Sequence, residues 1–249
     1  MNPKTGWRDE KILVSLCILI LALSLCSCGG TKAEAVTPAN FLATLDAAIG
    51  ESPEEAERLY LGKTVQVNFL IDWIMPDGVI VMSGDAHNSV SAEYTRLTAR
   101  LSEEELAMVE KGDVITLEGT ISGFSEYVPS KWSSFANRTQ VEISPAKIIG
   151  RTYQVSGKIL DVRHLDPDFV KYVYGDKPDF FILESDEVFP KGQITVYLEP
   201  EIDYEAGQTV TATGTLLGGA RKGAGFYGSN PDRVTLFMDE PESIVIEGS

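Results

Sequence analysis

Few residues in this chain are of a type and spacing that could carry out chemistry. Its three cysteines, Cys17, Cys26 and Cys28, lie within the first 28 residues, and the 221 that follow contain none. Beyond position 28 this excludes disulfides, thiolate nucleophiles and Cys-based metal sites. The two histidines, His87 and His164, stand apart from any nucleophile-elbow motif, so no Ser-His-Asp arrangement is evident. No phosphate-binding glycine fingerprint opens a helix, and no His-x-x-x-His pair occurs. One grouping has the composition of a hard-cation loop: Asp161, His164, Asp166 and Asp168, supported by Asp176 and Asp179. Calcium favours carboxylate-rich loops, yet the spacing matches no recognised one, and Pro167 equally fits a solvated turn. Asp85-Ala86-His87-Asn88 reads as a turn. No catalytic residue and no cofactor is expected.

A different chemistry is offered by two stretches that mix aromatic and basic residues. The first contains Tyr127, Lys131, Trp132 and Phe135, followed by Arg138; the second contains Arg221, Lys222, Phe226 and Tyr227, followed by Arg233. Aromatic rings stack on sugar or base faces, and Arg and Lys hold anionic groups. The same residues could instead cover the end of a barrel and keep it soluble. The sequence leaves both readings open.

The N-terminus reads as a processing signal. Lys4, Arg8 and Lys11 precede an apolar run from Ile12 to Leu25, shorter than the roughly 20 residues a spanning helix needs. It ends in Leu25-Cys26-Ser27-Cys28-Gly29-Gly30, which resembles the lipobox of bacterial lipoproteins. Cleavage after Ser27 is expected, leaving Cys28 as the lipid-bearing first residue and as the only contact with the bilayer. The protein is then exported and held at the cell envelope, on the outer membrane if the host is Gram-negative. Removing residues 1–27 takes away two acidic and three basic residues, so the 37 acidic and 21 basic residues of the whole chain become 35 and 18. That balance opposes nucleic acid, where Lys and Arg neutralising phosphates provide most non-specific binding.

The elements that must position these residues follow from periodicity. Residues 28–37 form a tether. Phe41, Leu42, Leu45 and Ala48 recur at helical spacing. A second helix is expected over Pro53–Tyr60, with Ser52 as N-cap and Glu55 completing a capping box. After Gly62 come short β-branched runs: Thr64–Ile74, Val79–Ser83, Val90–Tyr94, Val114–Phe124 and Gln140–Ile149. A second set follows: Tyr153–Val162, Phe180–Glu184, Ile194–Leu198, Thr209–Leu217, and Val234–Met238 with Ile244–Ile246. Ser102 and Glu105 predict a capped helix to about Glu110, between the third and fourth strands.

The two sets repeat one another. Leu61-Gly62-Lys63-Thr64-Val65-Gln66-Val67 aligns with Ile149-Gly150-Arg151-Thr152-Tyr153-Gln154-Val155. Gly112-Asp113-Val114-Ile115-Thr116-Leu117-Glu118-Gly119 aligns with Gly207-Gln208-Thr209-Val210-Thr211-Ala212-Thr213-Gly214. Pro145-Ala146-Lys147-Ile148-Ile149 aligns with Pro241-Glu242-Ser243-Ile244-Val245. Three blocks in order, at nearly constant offset, indicate duplication. Gly119 and Gly214 fall inside apolar strands, where glycine marks a bulge or bend, and five strands with a helix before the fourth is the layout of an OB-fold barrel. The chain is therefore expected to be mainly β, with two tandem five-stranded barrels: residues 38–149, including the helices, and residues 150–249. Gly150 as sole spacer predicts barrels packed side by side.

From Ala56 to Ile149 the motifs Gly62-Lys63-Thr64-Val65-Gln66-Val67 and Gly112-Asp113-Val114-Ile115-Thr116-Leu117-Glu118-Gly119 resemble the tRNA-anti-like OB-fold family. The second repeat keeps the skeleton but departs at Gln208 and Ala212, so the resemblance extends over about 190 residues. It implies an OB fold, whose ligands lie against the loops joining strands one to two and four to five and the face of strands two and three. The leading functional expectation is a non-enzymatic, lipid-anchored envelope protein that binds a protein partner or an oligosaccharide. The alternatives are a single-stranded nucleic-acid binder and a carboxylate-dependent hydrolase.

Overall fold

The computed structural model describes residues 36–82, 92–128, 138–164, 179–198, 204–218, 234–238 and 241–247. The chain enters through helix α1 (Phe41–Glu51), which buries Phe41, Leu42, Leu45 and Ile49. Each such side chain gains about 1.5–3 kcal/mol on leaving water. Helix α2 (Pro53–Tyr60) starts where Ser52 and Pro53 predict, and the Glu55 N–H donates to Ser52 Oγ at 3.2 Å. The reciprocal half of the expected box is missing. The Ser52 N–H already donates to Ala48 O at 3.0 Å, so the Glu55 carboxylate turns instead to Arg58.

The first barrel is built from β1 (Thr64–Leu70), β2 (Trp73–Ile74), β3 (Val79–Met82), β4 (Thr95–Arg100), β5 (Val114–Tyr127) and β6 (Arg138–Gly150). Their order in the sheet is β1-β5-β6-β4-β3-β2. β1 and β2 are the two halves of one bent strand. β1 runs antiparallel to β5, and after Ile71 the chain leaves that partner for β3. The ring therefore closes on itself, with β4 and β6 as its one parallel pair. Antiparallel pairing everywhere else, with strands three and five parallel, is the OB-fold connectivity.

The second barrel repeats it with β7 (Thr152–His164), β8 (Asp179–Ser185), β9 (Gly192–Leu198), β10 (Thr209–Thr215), β11 (Leu217–Gly218), β12 (Val234–Met238) and β13 (Ser243–Ile246), in the order β11-β12-β9-β8-β7-β10-β13. Its parallel pair is β9 with β12. Bends split the ten expected strands into thirteen pieces without altering the ring.

The duplication extends to individual hydrogen bonds. In the first barrel the Gly112 N–H donates to Ile71 O at 2.7 Å, and the Ile71 N–H donates to Asp113 O at 2.9 Å. In the second, the Gly207 N–H donates to Ile159 O at 2.8 Å, and the Ile159 N–H donates to Gln208 O at 2.8 Å. Gly112 and Gly207 have φ of 94° and 96°, in the region open to glycine. Asp113 Oδ2 accepts the Glu110 N–H, and Gln208 Oε1 accepts the Glu205 N–H, each at 2.9 Å. The departure at Gln208 thus preserves the job.

Three expectations are corrected. The third strand is Thr95–Arg100, not Val90–Tyr94: Thr95, Leu97 and Ala99 point inward and are buried, and two of these are too small or polar to announce a core strand. Helix α3 spans only Glu103–Leu106, although Ser102 and Glu105 form the full capping box; from Met108 the N–H groups reach back three residues instead of four, to Glu105 O and Leu106 O, and the Glu110 N–H turns to the Asp113 carboxylate. Gly150 is the last residue of β6, paired with Thr116, so Arg151 is the spacer. Gly119 sits at a register shift as expected, and a Cβ there would lie 2.5 Å from Ile143 Cγ2 and 2.6 Å from Pro145 O.

The barrels pack against each other. The Val114 N–H donates to Leu216 O at 3.0 Å, and the Gly218 N–H donates to Gly112 O at 2.7 Å. Asn68 Nδ2 donates to Val188 O at 2.7 Å, Thr116 Oγ1 donates to Asn68 Oδ1 at 2.8 Å, and Tyr153 Oη lies 3.1 Å from Thr116 Oγ1. Burial holds the Tyr153 phenol protonated far above its ordinary range. One continuous apolar core runs through residues of both barrels.

Candidate ligand groove

The end of the first barrel carries a groove of about 540 Å³, lined by the α1–α2 elbow (Ile49, Gly50, Pro53, Glu54, Glu57), by Tyr94, and by Phe124, Ser125, Glu126, Arg138 and Thr139 from the facing ends of β5 and β6. These strand ends carry the loop between the fourth and fifth barrel strands, so the groove opens where an OB fold presents ligands.

Tyr94 is the residue around which the groove is built. Both oxygens of the Asp46 carboxylate, on α1, accept backbone N–H groups, from Tyr94 at 2.9 Å and from Glu93 at 3.0 Å. On the other side, the Thr139 N–H donates to Tyr94 O at 2.7 Å. Helix and strand thus hold this backbone from both sides. The ring lies across Gly50, where a Cβ would fall 2.7 Å from Tyr94 Cε2. Only glycine lets the ring lie this close to the helix. Tyr94 is nonetheless 43% exposed, so one ring face is available to a ligand. Half-buried Phe124, which packs on the core, completes an apolar floor below a rim of carboxylates.

Among the residues singled out in the sequence, Arg138 lines this groove. Tyr127 lies beside it, half-buried, with the Arg96 guanidinium 4.1 Å above its ring centroid. Arg96 is also hydrogen-bonded to Gln140; burial lowers its pKa, partly opposed by Tyr127. Tyr127 therefore braces a half-buried cation. Lys131, Trp132, Phe135, Arg221, Lys222, Phe226, Tyr227 and Arg233 lie outside the described residues, as do Cys28, His87, Asp166, Asp168 and Asp176. Asp161 pairs with Arg163 at 2.7 Å, and the backbone of His164 pairs with that of Asp179. Among the described residues no group of three His, Cys, Asp or Glu side chains could hold a metal ion.

Sequence reasoning missed Asp46, Gly50, Glu54, Glu57 and Tyr94. A glycine late in an amphipathic helix was the available signal, because it marks a close approach. It also missed Trp73, 55% exposed in the hairpin between the first two barrel strands, with Lys111 Nζ 4.4 Å from its ring centroid.

Residues 8–130 match the model of the tRNA_anti-like family. Over that stretch the chain is similar to the tRNA_anti-like family. The match takes in α1 to β5 and stops before β6, the strand that closes the barrel and supplies Arg138 and Thr139. The chain is also similar to a single-stranded DNA binding protein from Thermus aquaticus, at 16% identity and a TM-score of 0.27, covering 76% of this chain and 95% of that one. The OB-fold assignment here rests on strand pairing and on the tRNA_anti-like match. No curated protein matches the chain.

Proposed function

We propose that the protein is a non-catalytic binding module of the cell envelope, tethered through lipid on Cys28, which holds a protein partner or an oligosaccharide at the end of its first barrel. The observation that carries this reading is the groove around Tyr94, where an exposed ring is fixed in place by Asp46, Gly50 and Thr139. A preformed concavity with an aromatic floor and a few polar groups is what small binding sites share. The carboxylates Glu54, Glu57 and Glu126 and the net charge of −16 disfavour a phosphate backbone.

Thermal melting of the full chain in detergent, against envelope oligosaccharides, cationic and anionic peptides and oligonucleotides, tests the reading. A ligand at about 100 times its dissociation constant adds about 2.7 kcal/mol, and Tyr94→Ala should abolish the shift. A shift that survives Tyr94→Ala places binding elsewhere. The anchor is tested separately: Cys28→Ala should release the protein from the membrane fraction, and continued membrane association would exclude lipid on that residue.

A further inference from the structure

We infer that the Tyr94 groove takes a lysine- or arginine-bearing extended segment of another protein; this rests on the proposed binding role and names the ligand class for the same site.

Charge supplies the first argument. Among the lining residues are three carboxylates, Glu54, Glu57 and Glu126, against one guanidinium, Arg138. Glu54 and Glu57 stand one helical turn apart on α2, so their side chains rise from the same edge. Their neighbour Glu55 is paired with Arg58, whereas neither Glu54 nor Glu57 joins an ion pair among the described residues. Glu54 and Glu57 thus set two like charges on one helix edge, and a cationic ligand relieves their repulsion.

Shape supplies the second. Lys and Arg present an aliphatic stem and a charged head, and the groove has Ile49, Pro53, Tyr94 and Phe124 below its acidic rim. The stem can lie on this floor while the head meets the carboxylates, and the exposed face of Tyr94 attracts a cation directly. A neutral oligosaccharide could stack on Tyr94 but draws nothing from the net charge of the rim. The −16 charge of the whole chain further steers a cationic partner towards it.

The test uses the full chain in detergent and a fluorescent acetylated peptide alternating lysine and phenylalanine, with a glutamate–phenylalanine counterpart as control. At low salt, about 10 mM, where charges act over about 30 Å, the lysine peptide should bind and its counterpart should not. Glu54→Gln with Glu57→Gln should weaken binding about tenfold at this salt, where exposed rim charges are least screened. Glu103→Gln with Glu104→Gln, the same charge change made on α3, should weaken it several-fold less. Equal weakening by both pairs would reduce the effect to bulk charge and overturn the inference. Binding of both peptides alike, or of neither, would also overturn it. If an envelope oligosaccharide then shifts melting in a Tyr94-dependent way, the ligand class is wrong while the binding role stands. If nothing binds and Tyr94→Ala is silent throughout, both fail.

Discussion

Three glycines show how one missing Cβ has different consequences in different places. At Gly119 a Cβ would meet Ile143 Cγ2 at 2.5 Å and the Pro145 carbonyl oxygen at 2.6 Å. The carbonyl is backbone and cannot step aside, so Gly119→Ala should cost about 1–3 kcal/mol in urea denaturation. Gly123 has nothing within 4 Å of its added Cβ, and Gly123→Ala should stay within about 0.5 kcal/mol of the parent. Gly50 differs again, because the obstacle is the outer edge of the exposed Tyr94 ring. Gly50→Ala should raise stability by up to about 1 kcal/mol through helix propensity, yet displace the ring and lose groove binding. A variant that is more stable but binds less would separate the two roles; unchanged binding would show that the ring position is immaterial.

Among the elements, the capped helix α3 also fastens the barrel. Its Glu105 carboxylate accepts the Ile148 N–H from β6 at 2.8 Å and the Ser102 hydroxyl at 2.9 Å. Burial pushes the Glu105 pKa up, but the hydrogen bonds from Ile148 and Ser102, with nearby Lys147, together bring it below the ordinary 4.5. A carboxylate lowered in the folded state stabilises above its unfolded value and loses that contribution as pH falls through the folded one. Stability should therefore decline below about pH 4.5, and Glu105→Gln should make the decline shallower while costing about 1 kcal/mol at pH 7. Equal acid slopes for the two proteins would remove Glu105 from the account. This helix was legible in sequence because capping is local chemistry, with Ser102 and Glu105 three residues apart. The repeat was legible for a similar reason, since Gly112 and Gly207 occupy turns that only glycine enters easily. The third strand was not, because Thr95 and Ala99 disguise its inward face. Nor was the groove: Asp46 meets Tyr94 across 48 residues, and no local pattern records that meeting.

At the scale of the molecule, residues 36–249 form one compact unit, and the hydrogen bonds across the barrel contact predict one unfolding event. Fluorescence and far-UV circular dichroism should give coincident transitions. Gly218 lies where a Cβ would fall 2.4 Å from Leu70 Cδ1, so Gly218→Val should wedge the barrels apart and split the transition. A single unshifted transition in that variant would mean the barrels couple elsewhere. The contact is also directional. Leu216–Gly218 of the second barrel meets the Gly112 turn of the first, two surfaces that are not equivalent. Such a joint can in principle be extended, one copy following another like links in a chain. In the first barrel the counterpart of Leu216 is Ile121, and it is already engaged: its carbonyl accepts the Gly62 N–H at 2.8 Å, and its own N–H donates to Lys63 O at 2.9 Å. The turn out of helix α2 thus covers, in the first barrel, the strand position that the second barrel uses for the joint.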